Sequence, residues 1–150
     1  MEIADEALGR VLTECSSSGG HETGGILVGR YDAGHQRAIV TRASLAPTDS
    51  QSGTSWFHRG VAGLQRWLDD LWEAERKEYY LGEWHYHPCA VAAPSADDRR
   101  EMMAIAACEA WRCPEPVLLV VSRAAEREWV MSVHVFPHGC EPLELASYAV

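Results

Sequence analysis

The chain is predicted to fold as an α/β domain, a mixed β-sheet flanked by helices. Three observations carry this prediction. Segments with apolar residues at helical spacing alternate along the chain with short strand-like runs. Two of those runs, Ile26-Leu27-Val28-Gly29 and Val117-Leu118-Leu119-Val120-Val121, are apolar at consecutive positions, as in strands covered on both faces. Glycine-rich and polar turns punctuate the segments, which is the pattern of a layered α/β architecture.

The elements follow in order. Ile3, Ala7, Leu8, Val11, Leu12 and Cys15 recur at helical spacing and predict an opening amphipathic helix. Ser16-Ser17-Ser18-Gly19-Gly20 reads as the loop that ends it. The apolar run Ile26–Gly29 is a buried strand. Asp32-Ala33-Gly34-His35 is a turn, and Ala38-Ile39-Val40-Thr41 is its antiparallel partner. Residues 47–53 are polar and turn-rich and read as a loop. Val61, Leu64, Trp67, Leu68, Leu71 and Trp72 are spaced for one helix face, with Asp69, Asp70, Glu73 and Arg76 elsewhere on it. Residues 79–87 read as a strand and residues 89–94 as the loop that leaves it. Ser95 is placed to cap a helix that carries Asp97 and Asp98 in its first turn, where the helix dipole favours carboxylates. That helix continues through Met102, Met103, Ile105, Ala106 and Ala110 toward Trp111. Val117–Val121 and Trp129–Phe136 are two further strands, joined through a charged turn near Glu126 and Arg127. The tail after Pro137 is ambiguous.

Composition narrows the function classes. Residues 1–150 suit one domain with one core. A formal net charge of -9, with Lys77 the only lysine and no cluster of basic residues, argues against a nucleic-acid partner. No apolar stretch approaches the roughly 20 residues of a membrane span, and the first residues lack the basic and apolar regions of a signal peptide. The expected location is therefore the cytoplasm, without membrane attachment. Five cysteines, Cys15, Cys89, Cys108, Cys113 and Cys140, form no CxxC pair. Neither a disulfide framework nor a zinc ribbon is expected, and most of them read as small core residues. Cys89, two residues after His87, is placed so that its oxidation would matter.

The chemistry concentrates in His85-Tyr86-His87 and the downstream Pro94-Ser95-Ala96-Asp97-Asp98. Residues i and i+2 of a strand point to the same face, so both imidazoles meet one point in space. Asp98 begins the helix that follows the loop. Two imidazoles and one carboxylate make a three-ligand metal site with a position left open for water, which is the pattern of a hydrolytic rather than a structural zinc centre. The other histidines, His21, His35, His58, His134 and His138, form no second ligand pattern. Gly24-Gly25 is no phosphate loop, because no P-loop lysine follows it. A zinc nucleobase deaminase would need H-x-E and a later P-C-x-x-C, and the strand here has histidine in place of the glutamate.

His85-x-His87, the seven residues to Ser95, and Ser95-x-x-Asp98 resemble the motif of the JAB1/MPN/Mov34 (JAMM) metalloenzyme family. Glu22, in the context Glu22-Thr23-Gly24-Gly25-Ile26-Leu27-Val28-Gly29, resembles that family's separate glutamate and the strand after it. The resemblance runs from the first helix to the last strand. It implies a single JAB/MPN-type metalloprotease domain of cytidine-deaminase-like architecture. It also implies one zinc ion per chain held by His85, His87 and Asp98, with Glu22 as general base and Ser95 as hydrogen-bond donor to the oxyanion. The implied reaction is hydrolysis of an amide or isopeptide bond.

Within the family, the short chain and the phrase Gly82-Glu83-Trp84-His85-x-His87-Pro88 resemble small bacterial JAB proteins found beside E1-like and E2-like proteins in conjugation and antiphage-defence operons. That resemblance implies cleavage after the C-terminal residue of a ubiquitin-like protein or of a conjugated nucleotidyltransferase. Either deconjugation or precursor trimming fits. The partner is then a protein with an extended C-terminal tail, with E1-like and E2-like proteins as operon partners. Trp56, Phe57 and Trp84 are candidate tail contacts, each with core packing as the plainer role. One alternative is a metallopeptidase that releases an amino acid such as cysteine from a sulfur-carrier protein. Another is a noncatalytic binding module.

Overall fold

A computed structural model describes residues 1–88, 91–124 and 128–149. Among these residues, seven strands form one sheet and two more form a separate hairpin. In chain order the elements are β1 (Glu2–Ile3), α1 (Asp5–Ser17), β2 (Thr23–Tyr31), β3 (Ala38–Ala43), β4 (Gln51–Ser52), β5 (Phe57–His58), α2 (Leu64–Glu73), β6 (Tyr79–His87), α3 (Ala96–Ala107), a short 3-10 turn (Glu109–Trp111), β7 (Val117–Arg123), β8 (Trp129–Val135) and β9 (Leu143–Ala149). The large sheet runs β1-β3-β2-β6-β7-β8-β9. It is mixed: β6 pairs parallel with β7, while β2 pairs antiparallel with both β3 and β6. A parallel neighbour needs a long crossover, and α3 lies on that connection.

The expected α/β class holds, with local differences. Ile3 leaves the predicted helix and joins β1, paired with Val40. Ser16 and Ser17, read as loop, form the last turn of α1, where their hydroxyls donate to the carbonyls of Leu12 and Thr13. Serine satisfies its own hydroxyl against the preceding turn, so it does not stop the helix; Gly19 and Gly20, both at positive φ, do. Val61 lies outside α2 and is exposed. Ala110 belongs to the 3-10 turn rather than to α3. The ambiguous tail adds β9 beside β8. Cys15 and Cys113 are buried as expected, whereas Cys108 and Cys140 are exposed. Cys89 and the turn at Glu126 and Arg127 lie outside the described residues.

Helices cover both faces of the sheet. Ala7, Val11 and Cys15 of α1 pack on Leu27, Val40, Leu81, Trp84 and Val121. On the opposite face, Met102 and Ile105 of α3 pack with Ile26, Val28, Tyr80, Leu118 and Phe136, and α2 adds Leu64, Trp67, Leu68 and Leu71 at the margin. The continuous apolar runs of β2 and β7 thus face helices on both sides, as their composition requires.

A bulge in the central strand positions the site. The β2–β6 register shifts between Leu27 and Val28. Across from it Gly82 adopts φ +151 and lies so close to Val117 that a Cβ would collide with the Val117 carbonyl. Leu81 faces α1, yet beyond the bulge it is Trp84 and Tyr86 that face α1. Glu83, His85 and His87 are therefore turned to the α3 side. A bulge that re-aims the side chains after it is a common device beside active sites.

Glu78 ties the strands together at the edge of this face. Its buried carboxylate accepts hydrogen bonds from Thr41 Oγ1 at 2.8 Å and Arg42 Nε at 2.6 Å. Burial works against the charge, but these bonds outweigh it and hold the carboxyl below its ordinary value. A lowered folded pKa contributes stability above the unfolded value, and that contribution is lost as pH falls through the folded one. Glu78→Gln is expected to destabilise the neutral protein by about 1 kcal/mol, because the Arg42 partner is half exposed. In thermal denaturation the gap between wild type and variant should close below about pH 4. A gap that widened on acidification would contradict the pairing.

Candidate active site and metal centre

Three elements converge at the carboxyl end of β6. His85 and His87 project from its last residues. Asp98 comes from the first turn of α3. Glu22 immediately precedes β2, whose Thr23 and Gly24 stand opposite Tyr86 and His85. The five residues expected to carry chemistry therefore meet at one place, although 63 positions separate Glu22 from His85 in the numbering.

Asp98 binds the two histidines together. Its Oδ1 lies 2.6 Å from His85 Nδ1, and its Oδ2 lies 3.4 Å from His87 Nε2. Glu22 Oε2 stands 3.8 Å from His85 Nε2 on the ring's other side. Ser95 caps α3 in a reciprocal box: its Oγ accepts from the Asp98 backbone N–H at 3.1 Å, and Asp98 Oδ2 accepts from the Ser95 backbone N–H at 2.7 Å. This is a strong helix start, and it also aims the Asp98 carboxylate at the imidazoles. The Ser95 hydroxyl keeps its own proton to donate.

The electrostatics separate the two carboxylates. Burial raises the Asp98 carboxyl, but hydrogen bonds from His85 and His87 overcome this and hold it far below the usual range. Burial is the largest influence on Glu22 and pushes its carboxyl up, opposed by the charges of His87 and His85. Burial lowers His87, yet the Asp98 carboxylate more than compensates and raises it.

The donor set fits a divalent metal such as zinc. His85 Nε2 is buried and has no hydrogen-bond partner among the described residues, a costly state that a ligand would relieve. Glu22, His85 and His87 offer ligand atoms that all lie within 4.8 Å of one another. Asp98, expected as a ligand, adjoins the same space with both oxygens hydrogen-bonded. Imidazole nitrogens with carboxylate oxygens are zinc's usual partners.

The end of the segment read as a loop, residues 47–53, and the residues just after it supply further parts of the site. Residues 51–58 form the β4–β5 hairpin, with Gln51 opposite His58 and Ser52 opposite Phe57. The Gly53 carbonyl accepts from the Glu22 backbone N–H at 2.8 Å. The Phe57 ring lies 5.3 Å, centroid to centroid, from His85. Gly24 beneath has no room for a side chain, since a Cβ there would stand 2.9 Å from the Phe57 ring and 2.7 Å from the Trp84 carbonyl. The sequence signal was present in Gly53 followed by Trp56 and Phe57, but two-residue strands are too short for periodicity to register. Of the candidate tail contacts, Trp84 is buried in the core with its indole N–H on the Ser44 carbonyl, Phe57 covers the site, and Trp56 is exposed.

Comparison with known proteins settles the lineage. A family model of prokaryotic homologues of the JAB domain matches residues 5–133. The chain belongs to this prokaryotic JAB family. This JAB domain is 37% identical over 143 residues to the CD-NTase/cGAS isopeptidase of Enterobacter hormaechei subsp. hoffmannii (strain UCI 50). The match spans 95% of this chain and 78% of that protein. In fold it is similar to the solution structure of protein DSY2949 from Desulfitobacterium hafniense, with a TM-score of 0.70 at 22% identity, covering 95% of this chain and 88% of that one. Among the described residues, no helix of this JAB domain is long and apolar enough to cross a membrane.

Proposed function

We propose that residues 1–150 act as a zinc-dependent isopeptidase. Its reaction is hydrolysis of the amide bond after the C-terminus of a ubiquitin-like protein or of a conjugated nucleotidyltransferase, in deconjugation or precursor processing. The observation that carries this reading is the meeting of Glu22, His85, His87 and the Ser95-capped Asp98 at one place, with the buried His85 Nε2 left without a hydrogen-bond partner among the described residues. Family membership supports amide hydrolysis, and the name of the Enterobacter relative supports a conjugated nucleotidyltransferase as the target. The cytoplasm and a bacterial defence operon with E1-like and E2-like partners are the setting this reading implies.

Each residue has a role that its position supports. His85, His87 and Asp98 would hold the metal, because Asp98 is the carboxylate whose two oxygens contact both imidazoles, while Glu22 stands 3.8 Å from His85 Nε2. A bound zinc ion supplies Lewis acidity and makes water nucleophilic near neutral pH. Glu22 takes a proton from the attacking water and returns it to the leaving amine nitrogen. Ser95 Oγ donates a hydrogen bond to the oxyanion that develops on the scissile carbonyl. Its role as cap fixes the hydroxyl's position beforehand, so no reorganisation is needed during the reaction.

The test is cleavage of a fusion in which the C-terminus of a ubiquitin-like protein or nucleotidyltransferase is joined to a reporter, with products identified by mass. A single cut after the C-terminal residue is expected. EDTA should abolish it and added zinc should restore it. Full-rate cleavage after complete metal removal would refute the metal dependence.

A further inference from the structure

Arg59 and Glu83 form an ion pair that the proposed chemistry does not use. Arg59 follows β5 directly, and Glu83 lies on β6 two residues before His85. Arg59 Nη2 meets Glu83 Oε1 at 2.8 Å, and Arg59 Nε reaches both carboxylate oxygens at 3.2 Å. Tyr80 donates its hydroxyl to the same carboxylate at 3.3 Å. Only 13% and 14% of the two side chains are exposed. Arg59 Nη1 also donates to the Gly60 carbonyl at 2.9 Å, which fixes the chain as it leaves the hairpin.

The hairpin is too small to hold its own place. Each of its strands is two residues long, and an isolated hairpin is marginal in water even when longer. Two of its other attachments touch the site: the Gly53 carbonyl on the Glu22 backbone N–H, and the Phe57 ring on His85. Asp49 ties the chain on either side, accepting from the backbone N–H groups of Val61 and Ala62. The bidentate pair is the strongest of these bonds, because a guanidinium fork matches a carboxylate and both charges are shielded from water.

We propose that Arg59 is a positioning residue: its clamp on Glu83 sets the β4–β5 hairpin against β6 and so places the Glu22 backbone and the His85 ring. Arg59 touches neither ring nor carboxylate of the candidate centre and acts through Gly53 and Phe57. Its effect on turnover rests on the peptidase reading above, whereas its effect on the Glu22 backbone does not.

The experiment is residue-resolved amide hydrogen exchange on the full chain, wild type against Arg59→Ala. Exchange at the Glu22 amide should accelerate at least about tenfold, while Leu119 and Val133 in the sheet interior stay within about twofold of wild type. The charge-swapped Arg59→Glu/Glu83→Arg protein should regain protection at Glu22. If Arg59→Ala does not fold, Arg59→Lys is read the same way, since it keeps the charge and loses the fork. On a cleavable fusion, the kcat losses of Arg59→Ala and Phe57→Ala should fail to add in the double variant. An unchanged Glu22 amide, or equal acceleration at Leu119 and Val133, would overturn the proposal. Absence of cleavage by the wild type would count against the peptidase reading and leave the exchange result to decide the clamp.

Discussion

Glu22→Ala is expected to lower kcat by a factor of about 10² to 10⁴, the range of a lost general base, with zinc content and thermal midpoint close to wild type. The expectation comes from where Glu22 sits. It precedes β2, and its backbone is bonded to Gly53 through N–H rather than through the side chain. Removing the carboxylate therefore leaves the strand and hairpin in place. The carboxylate stands 3.8 Å from His85 Nε2 without a hydrogen bond to the ring, so the His85–Asp98 contact persists without it. Kinetics on a cleavable fusion, metal analysis and thermal unfolding measure the three quantities. A variant that cleaved at the wild-type rate would remove Glu22 from the mechanism. A variant that lost its zinc would make Glu22 a ligand instead.

Asp98→Ala should show the opposite pattern, with metal and activity lost together. Asp98 is the side chain that meets both imidazoles and closes the cap of α3. Its removal leaves His85 and His87 without their shared anion and breaks one half of the capping box. We expect zinc affinity to fall at least about 100-fold and kcat/KM to fall with it. The lost bond from the Ser95 backbone N–H should cost about 1 kcal/mol in metal-free protein. The comparison that decides is competition for zinc with a chromophoric chelator, run beside unfolding of both proteins in EDTA. Undiminished zinc affinity would exclude Asp98 from the ligand set, and the Glu22–His85–His87 group would then be the site.

The legible parts of the site were the local ones. His85 and His87 share a face because two residues is the period of a strand, and β6 spans Tyr79–His87 as its sequence indicated. Ser95 and Asp98 stand three apart at a helix start, where a capping box forms from neighbouring residues alone. The apolar runs of β2 and β7 signalled a sheet covered on both faces. The missed parts were short or non-local. β1 and the β4–β5 hairpin have strands of two residues, which leave no periodic trace. Arg59 and Glu83 are 24 positions apart, and nothing in either local context pairs them. Trp84 shows the converse: beside His85 in sequence, it faces the other side of the sheet.

By itself, the sequence determined how each candidate side chain is aimed within its own element, because strand alternation and helix capping depend on neighbours a few residues away. Tertiary structure alone decided that Glu22 joins the histidines, since this follows from the β2–β6 register that sets Gly24 against His85. It also decided the face. Counting every second residue from Leu81 would carry His85 to the α1 side, and only the bulge at Gly82, where Val117 leaves no room for a Cβ, turns it toward Asp98. Pairing and bulge geometry depend on which backbones meet across the sheet, a contact between distant segments that no local pattern encodes.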